Sequence, residues 1–279
     1  MPIHDQGYRR YQGARTPRGR AWAVITTAGL RTFFGKRAFL ALLLLSWLPF
    51  VVRTVQMYAA ANFPQMAFMA PTAETFRQFM SQQDPFVFFV TVYVGAGLIA
   101  NDRRANALQI YLSKPLLRIE YIAGKLAILV TFLLGITLVP ALLLILLQIG
   151  FSGSFDFLRQ HLFLVPAVVL GSLTYVCVSS FTMVALSSLS KSARYAALLF
   201  TGAIFFGDAL FGALRIITGS SRVAWVSIGT NISQVNDVIF KQKAVYDSPW
   251  SVSLMVILGL LVLSISVLER RVRGVEVVK

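Results

Sequence analysis

The sequence has few groups that could perform chemistry. It contains one cysteine and two histidines among 279 residues. A single cysteine, Cys177, forms no intrachain disulfide and leaves no cysteine cluster for a metal. His4 lies in a polar N-terminal stretch and His161 at the start of an apolar one, so neither is placed to serve as an intramembrane acid or base. We therefore expect no metal site and no enzymatic activity within this chain.

Several motifs of catalytic and nucleotide sites are also absent. The chain has neither a Gly-x-Ser-x-Gly elbow nor a His-Glu-x-x-His helix. A phosphate-binding loop needs Gly-x-x-x-x-Gly-Lys followed by Ser or Thr, whose backbone amides surround the phosphates. Gly35-Lys36 and Gly124-Lys125 lack both the upstream glycine and the following hydroxyl residue. We expect no bound cofactor in this chain.

Acidic residues are scarce as well. Eleven Asp and Glu face 26 Lys and Arg, which gives a formal net charge of +15. Hydrophobic residues make up 57% of the chain and charged ones 13%, with a mean hydropathy of +0.71. That composition is too apolar for an ordinary soluble domain and indicates an integral membrane protein.

Long apolar stretches predict six membrane-spanning helices. About 20 apolar residues are needed to cross roughly 30 Å of hydrocarbon. The stretches of that kind are 38–59, 84–100, 122–147, 161–189, 195–217 and 249–268. Pro64 and Pro71 interrupt the segment 60–83, which we expect to be interfacial. For the segment 218–248 we expect short helices at the outer surface.

The basic residues predict the orientation. Nineteen of the 26 fall at the N-terminus, in the connection after the second apolar stretch, at Lys191 and Arg194, and in the C-terminal tail. Lys and Arg concentrate on the cytoplasmic side, so both termini are expected to be cytoplasmic, in the inner or plasma membrane. Topology and attraction to anionic membrane lipids then explain the positive charge, and we expect no nucleic-acid partner.

The N-terminal region divides into two parts. Residues 1–19 are predicted to be a basic, disordered cytoplasmic arm, without the apolar core of a removable signal peptide. In "RAWAVITTAGLRTFFGKR", Trp22, Ile25, Phe33 and Phe34 recur among basic residues at helical spacing. This pattern predicts an amphipathic helix at the membrane interface, or alternatively an inward extension of the first span. Residues 20–279 are predicted to form a single six-helix transmembrane domain.

The connection "NDRRANALQIYLSKPLLRIEYIAGK" (residues 101–125) carries the most organised pattern. Leu108, Tyr111 and Leu112 fall at i, i+3 and i+4, so a short helix there would have one apolar face. Pro115 ends it. Such a helix is marginal in water by itself and needs the bilayer or a groove on another protein.

This connection resembles the loop between the second and third spans of ABC-2 type transporter permeases. That loop has, in order, an acidic-Arg pair, Gly-Thr-Leu, Leu-Leu-Ser-x-Pro, Arg and Gly-Lys. Asp102 stands where the family has Glu, and Asn106-Ala107 stand where it has Gly-Thr. The remaining matches are Arg103, Leu108, Tyr111-Leu112-Ser113, Pro115, Arg118 and Gly124-Lys125. The topology of the whole chain is similar too, although six spans are common to many families.

The resemblance implies a function. The connection would be the coupling helix that docks on a separate ATPase subunit, which binds ATP and Mg²⁺, and the chain would export a solute or lipid. It would work with a second copy or a sister permease. The residues that would couple to the ATPase are Asp102, Arg103, Arg104, Leu108, Tyr111, Leu112, Ser113, Pro115 and Arg118. A non-ABC channel, a secondary carrier, or a membrane anchor or sensor without solute flux are the alternatives.

Three charges fall within predicted spans: Arg53, Asp208 and Arg215. Ionisable groups in hydrocarbon are costly and usually mark a pathway or a pair. Asp208 and Arg215 are too far apart along the helix to bond directly, and Arg53 is the partner for Asp208 that depth suggests. Alternatively, both arginines extend toward the interface and Asp208 forms a buried structural pair. We also expect Asp208 to face a dimer interface or a central cavity.

Overall fold

The protein is described by a computed structural model over residues 20–107, 117–153 and 156–272. Every regular element in these ranges is a helix. Six helices are long and apolar enough to cross a membrane, and we number them span 1 to span 6. They are Arg37–Asn62, Ala73–Arg104, Arg118–Ser152, Leu164–Leu189, Ala193–Thr218 and Trp250–Arg271. Among the described residues, the prediction of an all-α chain with six helices able to span a membrane is confirmed, and these helices suit a multi-pass membrane protein.

Three spans are built from more than one helical piece. Span 1 consists of Arg37–Ser46 and Leu48–Asn62, and span 3 of Arg118–Ile136 and Leu138–Ser152. Pro49 and Pro140 lie just after these breaks, because a proline ring clashes with the carbonyl four residues earlier. The pieces of span 2 are Ala73–Gln82, Asp84–Val90, the π-helical turn Thr91–Gly95 and Ala100–Arg104.

The N-terminal helix (Ala21–Phe34) is separate from span 1. Lys36 is extended, with φ −99° and ψ 112°, so the helix is not an inward extension of the first span. It packs on span 3, where a Cβ on Gly124 would lie 2.8 Å from the Ile25 Cβ and 3.0 Å from the Trp22 carbonyl oxygen. Only glycine fits this close approach.

Span 2 begins eleven residues before the predicted position. The backbone amide of Thr72 donates to the Thr75 hydroxyl at 3.0 Å and starts the helix. Phe76, Phe79 and Met80 are fully buried. The expectation of an interfacial segment over 60–83 is therefore wrong for its second half. Its first half contains the short 3₁₀ helix Pro64–Met69, which packs along the end of span 1.

The segment 218–248 contains short helices, as predicted, but the longer one is not at the surface. Ser221–Val226 is a 3₁₀ turn and Ile228–Ile239 an α-helix. In the latter, Asn231, Gln234, Asn236 and Asp237 are at most 3% exposed. The expectation failed because the polar side chains of this helix are enclosed by spans 4 to 6, which it contacts. A further short helix, Asp156–Gln160, precedes span 4.

The buried apolar residues form two clusters, one toward each end of the helix bundle. In the most apolar part of spans 2, 3 and 4, more than half of the residues are buried. In spans 1, 5 and 6, fewer than a quarter are buried. One buried cluster includes Ile99, Tyr121 and Met183, close to the connection between spans 2 and 3. The other includes Phe76 and Phe240 at the opposite ends. We call these the loop end and the far end of the bundle.

Candidate functional site

The candidate site is the base of the connection between spans 2 and 3, formed by residues 96–104 and 117–125. Here span 2 is interrupted between its π-helical turn and the short helix Ala100–Arg104. Ser187 of span 4, which is fully buried, bonds to the interrupted backbone. Its hydroxyl accepts from the amides of Ile99 and Ala100, each at 3.1 Å, and donates to the Ala96 carbonyl at 2.8 Å. Span 4 thereby satisfies backbone groups that the break leaves without helical partners.

Asp102 joins the two stems of the connection. Its Oδ2 accepts a hydrogen bond from the Tyr121 hydroxyl at 2.7 Å and pairs with the Lys125 ammonium, also at 2.7 Å. Lys125 also lies 5.5 Å from the centroid of the Tyr121 ring. Charge-assisted bonds of this length are among the stronger ones that side chains make. The end of span 2 and the start of span 3 are therefore held together directly.

Arg103 ties the same helix to a third element. Its Nη1 donates to the backbone carbonyl of Ser188, at the end of span 4. Two neighbouring side chains of span 2 thus bond in two directions, Asp102 to span 3 and Arg103 to span 4. Spans 2, 3 and 4 therefore meet at this base.

The other predicted coupling residues divide into two groups. Arg104 and Arg118 are exposed on either side of the connection. Leu108, Tyr111, Leu112, Ser113 and Pro115 lie outside the described residues, as do residues 1–19. The apolar face predicted for the connection therefore stays a prediction.

Gly124 and Lys125 have distinct roles at the base. Gly124 has no side chain and so leaves room for the N-terminal helix to pack on span 3. The Thr26 hydroxyl donates to the Gly124 carbonyl at 3.3 Å. Lys125 forms the ion pair with Asp102. Tyr121 and Ser187 were missed by the sequence reasoning, although Tyr121 lies within the pattern already singled out. Ser187 lies 88 residues from Ile99, and nothing in a single sequence indicates that contact.

The charged residues inside the spans do not form the ion pair that was predicted from their depth in the membrane. Arg53 is 9% exposed and donates to three glutamine side chains, while Asp208 accepts a hydrogen bond from the Ser227 hydroxyl. The two ion pairs among the described residues are Arg77–Asp237 and Lys125–Asp102. The predicted Arg53–Asp208 pair is therefore wrong, because equal depth does not place two side chains on facing sides of their helices. Arg215 is exposed.

A buried ion pair at the far end was not predicted. Arg77 Nε donates to Asp237 Oδ1 at 2.7 Å, and its Nη2 donates to the Ser233 hydroxyl at 2.7 Å. The two side chains are 9% and 4% exposed. Nearby, burial raises the pKa of Tyr246, and the negative charge of Asp237 raises this pKa further. The pair joins span 2 to the helix Ile228–Ile239 and closes the far end of the bundle.

Comparison with known proteins adds no family assignment. No family model matches the chain, and no curated protein matches it. The contacts at the base and the residue pattern of the connection are therefore the observations that bear on function.

Proposed function

We propose that this chain is the membrane-spanning permease subunit of an ATP-driven transporter of the ABC-2 type. It couples ATP hydrolysis in a separate ATPase to the outward movement of a solute or lipid. It works as a dimer, with a second copy or a sister permease, and both termini lie on the cytoplasmic side. The chain itself supplies the path and the docking loop, and the ATPase supplies the energy.

The base of the connection is the observation that carries this proposal. A loop that receives a push can move the membrane helices only if its stems are attached to them firmly. Asp102 bonds to Tyr121 and Lys125 of span 3, and Arg103 bonds to the end of span 4. A displacement of the connection would therefore reach three spans together rather than bend a flexible loop.

The structure also gives physical reasons for residues of the ABC-2 pattern. The acidic residue of its acidic-Arg pair and the lysine of its Gly-Lys are Asp102 and Lys125, which bond to each other. Its first glycine corresponds to Asn106, which has φ 53°. Glycine and asparagine are the residues that adopt this left-handed conformation most readily. These contacts support the resemblance, because bonded pairs explain why the residue types recur together.

The N-terminal helix fits the same proposal. It docks beside Lys125 through Gly124, and its Trp22, Val24 and Phe34 are 45%, 60% and 51% exposed. We propose that this helix lies in the inner membrane interface, where an apolar side chain enters the acyl region and basic residues meet the headgroups. There it would stabilise the start of span 3.

Co-purification tests the proposal. Tagged chain would be isolated from its native membrane as wild type, as the double variant Leu108→Glu, Leu112→Glu, and as Arg222→Glu. Arg222 is exposed beyond span 5 at the far end and serves as the matched control. We expect an ATPase with a phosphate-binding loop to be recovered with wild type and the control, and lost with the double variant at equal membrane insertion. Absence of any ATPase from gently solubilised wild type would contradict the proposal.

The far-end charges favour a second candidate, an ion-coupled secondary carrier. Ionisable groups within membrane spans often belong to ion or proton pathways. Arg77 and Asp208 lie within spans, and Asp237 is buried against Arg77. A carrier would accumulate solute in vesicles under an imposed pH or sodium gradient without ATP. An ABC permease would need its ATPase and ATP for the same flux.

A further inference from the structure

Arg53 is a buried cation that has no carboxylate partner among the residues that the structure describes. Its Nε donates to Gln82 Oε1 at 3.3 Å, its Nη1 to Gln56 Oε1 at 3.1 Å and its Nη2 to Gln78 Oε1 at 3.1 Å. The guanidinium has five N–H groups, and these contacts use three of them. Amide oxygens orient the guanidinium, but they bring no negative charge to it.

The neighbouring arginine shows what a compensated charge looks like in this fold. Arg77 lies on span 2, one residue before Gln78, and forms a direct ion pair with Asp237. The nearest acid along the Arg53 network is Glu74, whose Oε1 accepts from the Gln78 Nε2 at 2.8 Å. The Gln78 side chain therefore stands between Glu74 and the guanidinium. An arginine enclosed in a membrane span without a counter-ion is costly and favours the approach of an anion.

The position of Arg53 suits the head group of an amphipathic molecule. Arg53 lies 16 residues after Arg37, or about 24 Å along the span at 1.5 Å per residue. Since the hydrocarbon layer is roughly 30 Å thick, this is close to its far boundary. Val52 and Val55 beside it are 47% and 60% exposed, and Phe68 in the adjoining 3₁₀ helix is 79% exposed. A charged head at Arg53 would leave an apolar tail in contact with these side chains.

We propose that Arg53, with Gln56, Gln78 and Gln82, binds the anionic phosphate or carboxylate head of an amphipathic molecule. A guanidinium donates two parallel hydrogen bonds to such a group, and the exposed amides of Gln78 and Gln82 can add further donors. A membrane lipid or a dissolved amphiphile would offer the same chemistry. The proposal is independent of the ABC function, because it depends on the far-end contacts alone.

The test uses the full chain in nanodiscs of phosphatidylcholine, titrated with dodecyl phosphate or with dodecyltrimethylammonium as the cationic counterpart. Bound amphiphile is counted by native mass spectrometry. A second preparation mixes phosphatidylglycerol with phosphatidylcholine, and retained lipid is counted in the same way. The variants are Arg53→Gln, Arg53→Lys and the control Arg215→Gln, which removes an exposed arginine from another span.

We expect wild type and Arg215→Gln to retain dodecyl phosphate, phosphatidylglycerol or both, and to discriminate against the cation. Arg53→Gln should bind at least about ten-fold more weakly, or about 1.4 kcal/mol, because it loses the charge-assisted hydrogen bonds to the anion. Arg53→Lys should retain part of the binding. Retention of phosphatidylglycerol alone would identify a membrane lipid as the occupant, and binding of dodecyl phosphate would show that the site is open to dissolved amphiphiles.

A second variant separates binding from folding. Gln56→Glu places a carboxylate next to Arg53 from within span 1, so it should fold with the charge compensated and should lose the bound anion. Wild-type binding by a folded Gln56→Glu or Arg53→Gln variant would overturn the proposal. So would a wild-type chain that binds neither anion in preference to the cation.

Discussion

The two ends of span 2 carry ion pairs of the same length in different surroundings. At the far end, Arg77 and Asp237 are 9% and 4% exposed. At the loop end, Lys125 and Asp102 are 15% and 17% exposed, and the closest N–O distance is 2.7 Å at both. The far-end pair is enclosed by other polar groups, including the amide of Val245 at 3.4 Å from Asp237. Span 2 thus has a buried ion pair at the far end and a more accessible ion pair at the loop end.

The difference in exposure predicts a different loss of stability when each pair is broken. Removing one partner of a buried pair leaves an uncompensated charge in a medium of low polarity, which is strongly destabilising. The same change in a more accessible pair lets water replace the lost partner, and the loss is smaller. We infer that the far end fixes the fold and that the loop end transmits motion.

The largest effect is expected from Asp237→Ala. Arg77 would be left buried and unpaired, which should lower stability by about 3–5 kcal/mol. Thermal unfolding and size-exclusion profiles in detergent measure this loss. In the double variant Arg77→Met, Asp237→Leu the unpaired charge is gone, so much of the stability should return. Equal stability of Asp237→Ala and wild type would show that the far end is not an anchor.

Gly124→Val should have the next largest effect. The added side chain would overlap Ile25 and Trp22 and displace the N-terminal helix, at roughly 1–3 kcal/mol. Hydrogen exchange in residues 21–34 should become faster. Gly135→Ala is the matched control, because a Cβ there has no neighbour within 4 Å. Unchanged exchange in Gly124→Val would contradict the packing at the loop end.

Asp102→Asn tests the ion pair at the loop end. It removes the charge that holds Lys125 but keeps an acceptor for the Tyr121 hydroxyl, so we expect a loss of about 1 kcal/mol. Faster hydrogen exchange should appear in 100–104 and 118–125, and exchange around Arg77 should stay unchanged. A loss as large as that of Asp237→Ala would remove the distinction between the two ends.

The smallest change in stability is expected from the double variant Arg104→Glu, Arg118→Glu. Both side chains are exposed, so unfolding should shift by no more than about 0.5 kcal/mol. Recovery of the ATPase should nevertheless fall, because the variant reverses two charges beside the docking loop. Comparing thermal unfolding with co-purification from the same membranes separates these effects. Full recovery of the ATPase would exclude these arginines from docking.

The sequence predicts the spans well and their interior contacts poorly. Long apolar runs define the six helices. Arg77 and three glutamines between 78 and 83 lower the hydropathy at the start of span 2, so the apolar run alone does not show where this span begins. The Arg77–Asp237 pair joins residues 160 positions apart, and no pattern in one sequence links them. Arg53 and Asp208 were matched by depth, which leaves rotation about each helix axis undetermined. The sequence pattern singled out Asp102 and Lys125, which lie in the same connection, but it predicted neither their ion pair nor the bond from Tyr121.

Site-specific photo-crosslinking shows whether the connection between spans 2 and 3 docks on an ATPase. A photoreactive amino acid would be placed at position 118, beside the connection, or at position 222 at the far end, and activated in intact native membranes. If the connection docks on an ATPase, position 118 yields a crosslinked polypeptide with a phosphate-binding loop and position 222 does not. Crosslinks from position 118 to lipid or to other membrane chains alone, repeated across neighbouring positions, would contradict the role of the connection as an ATPase docking site.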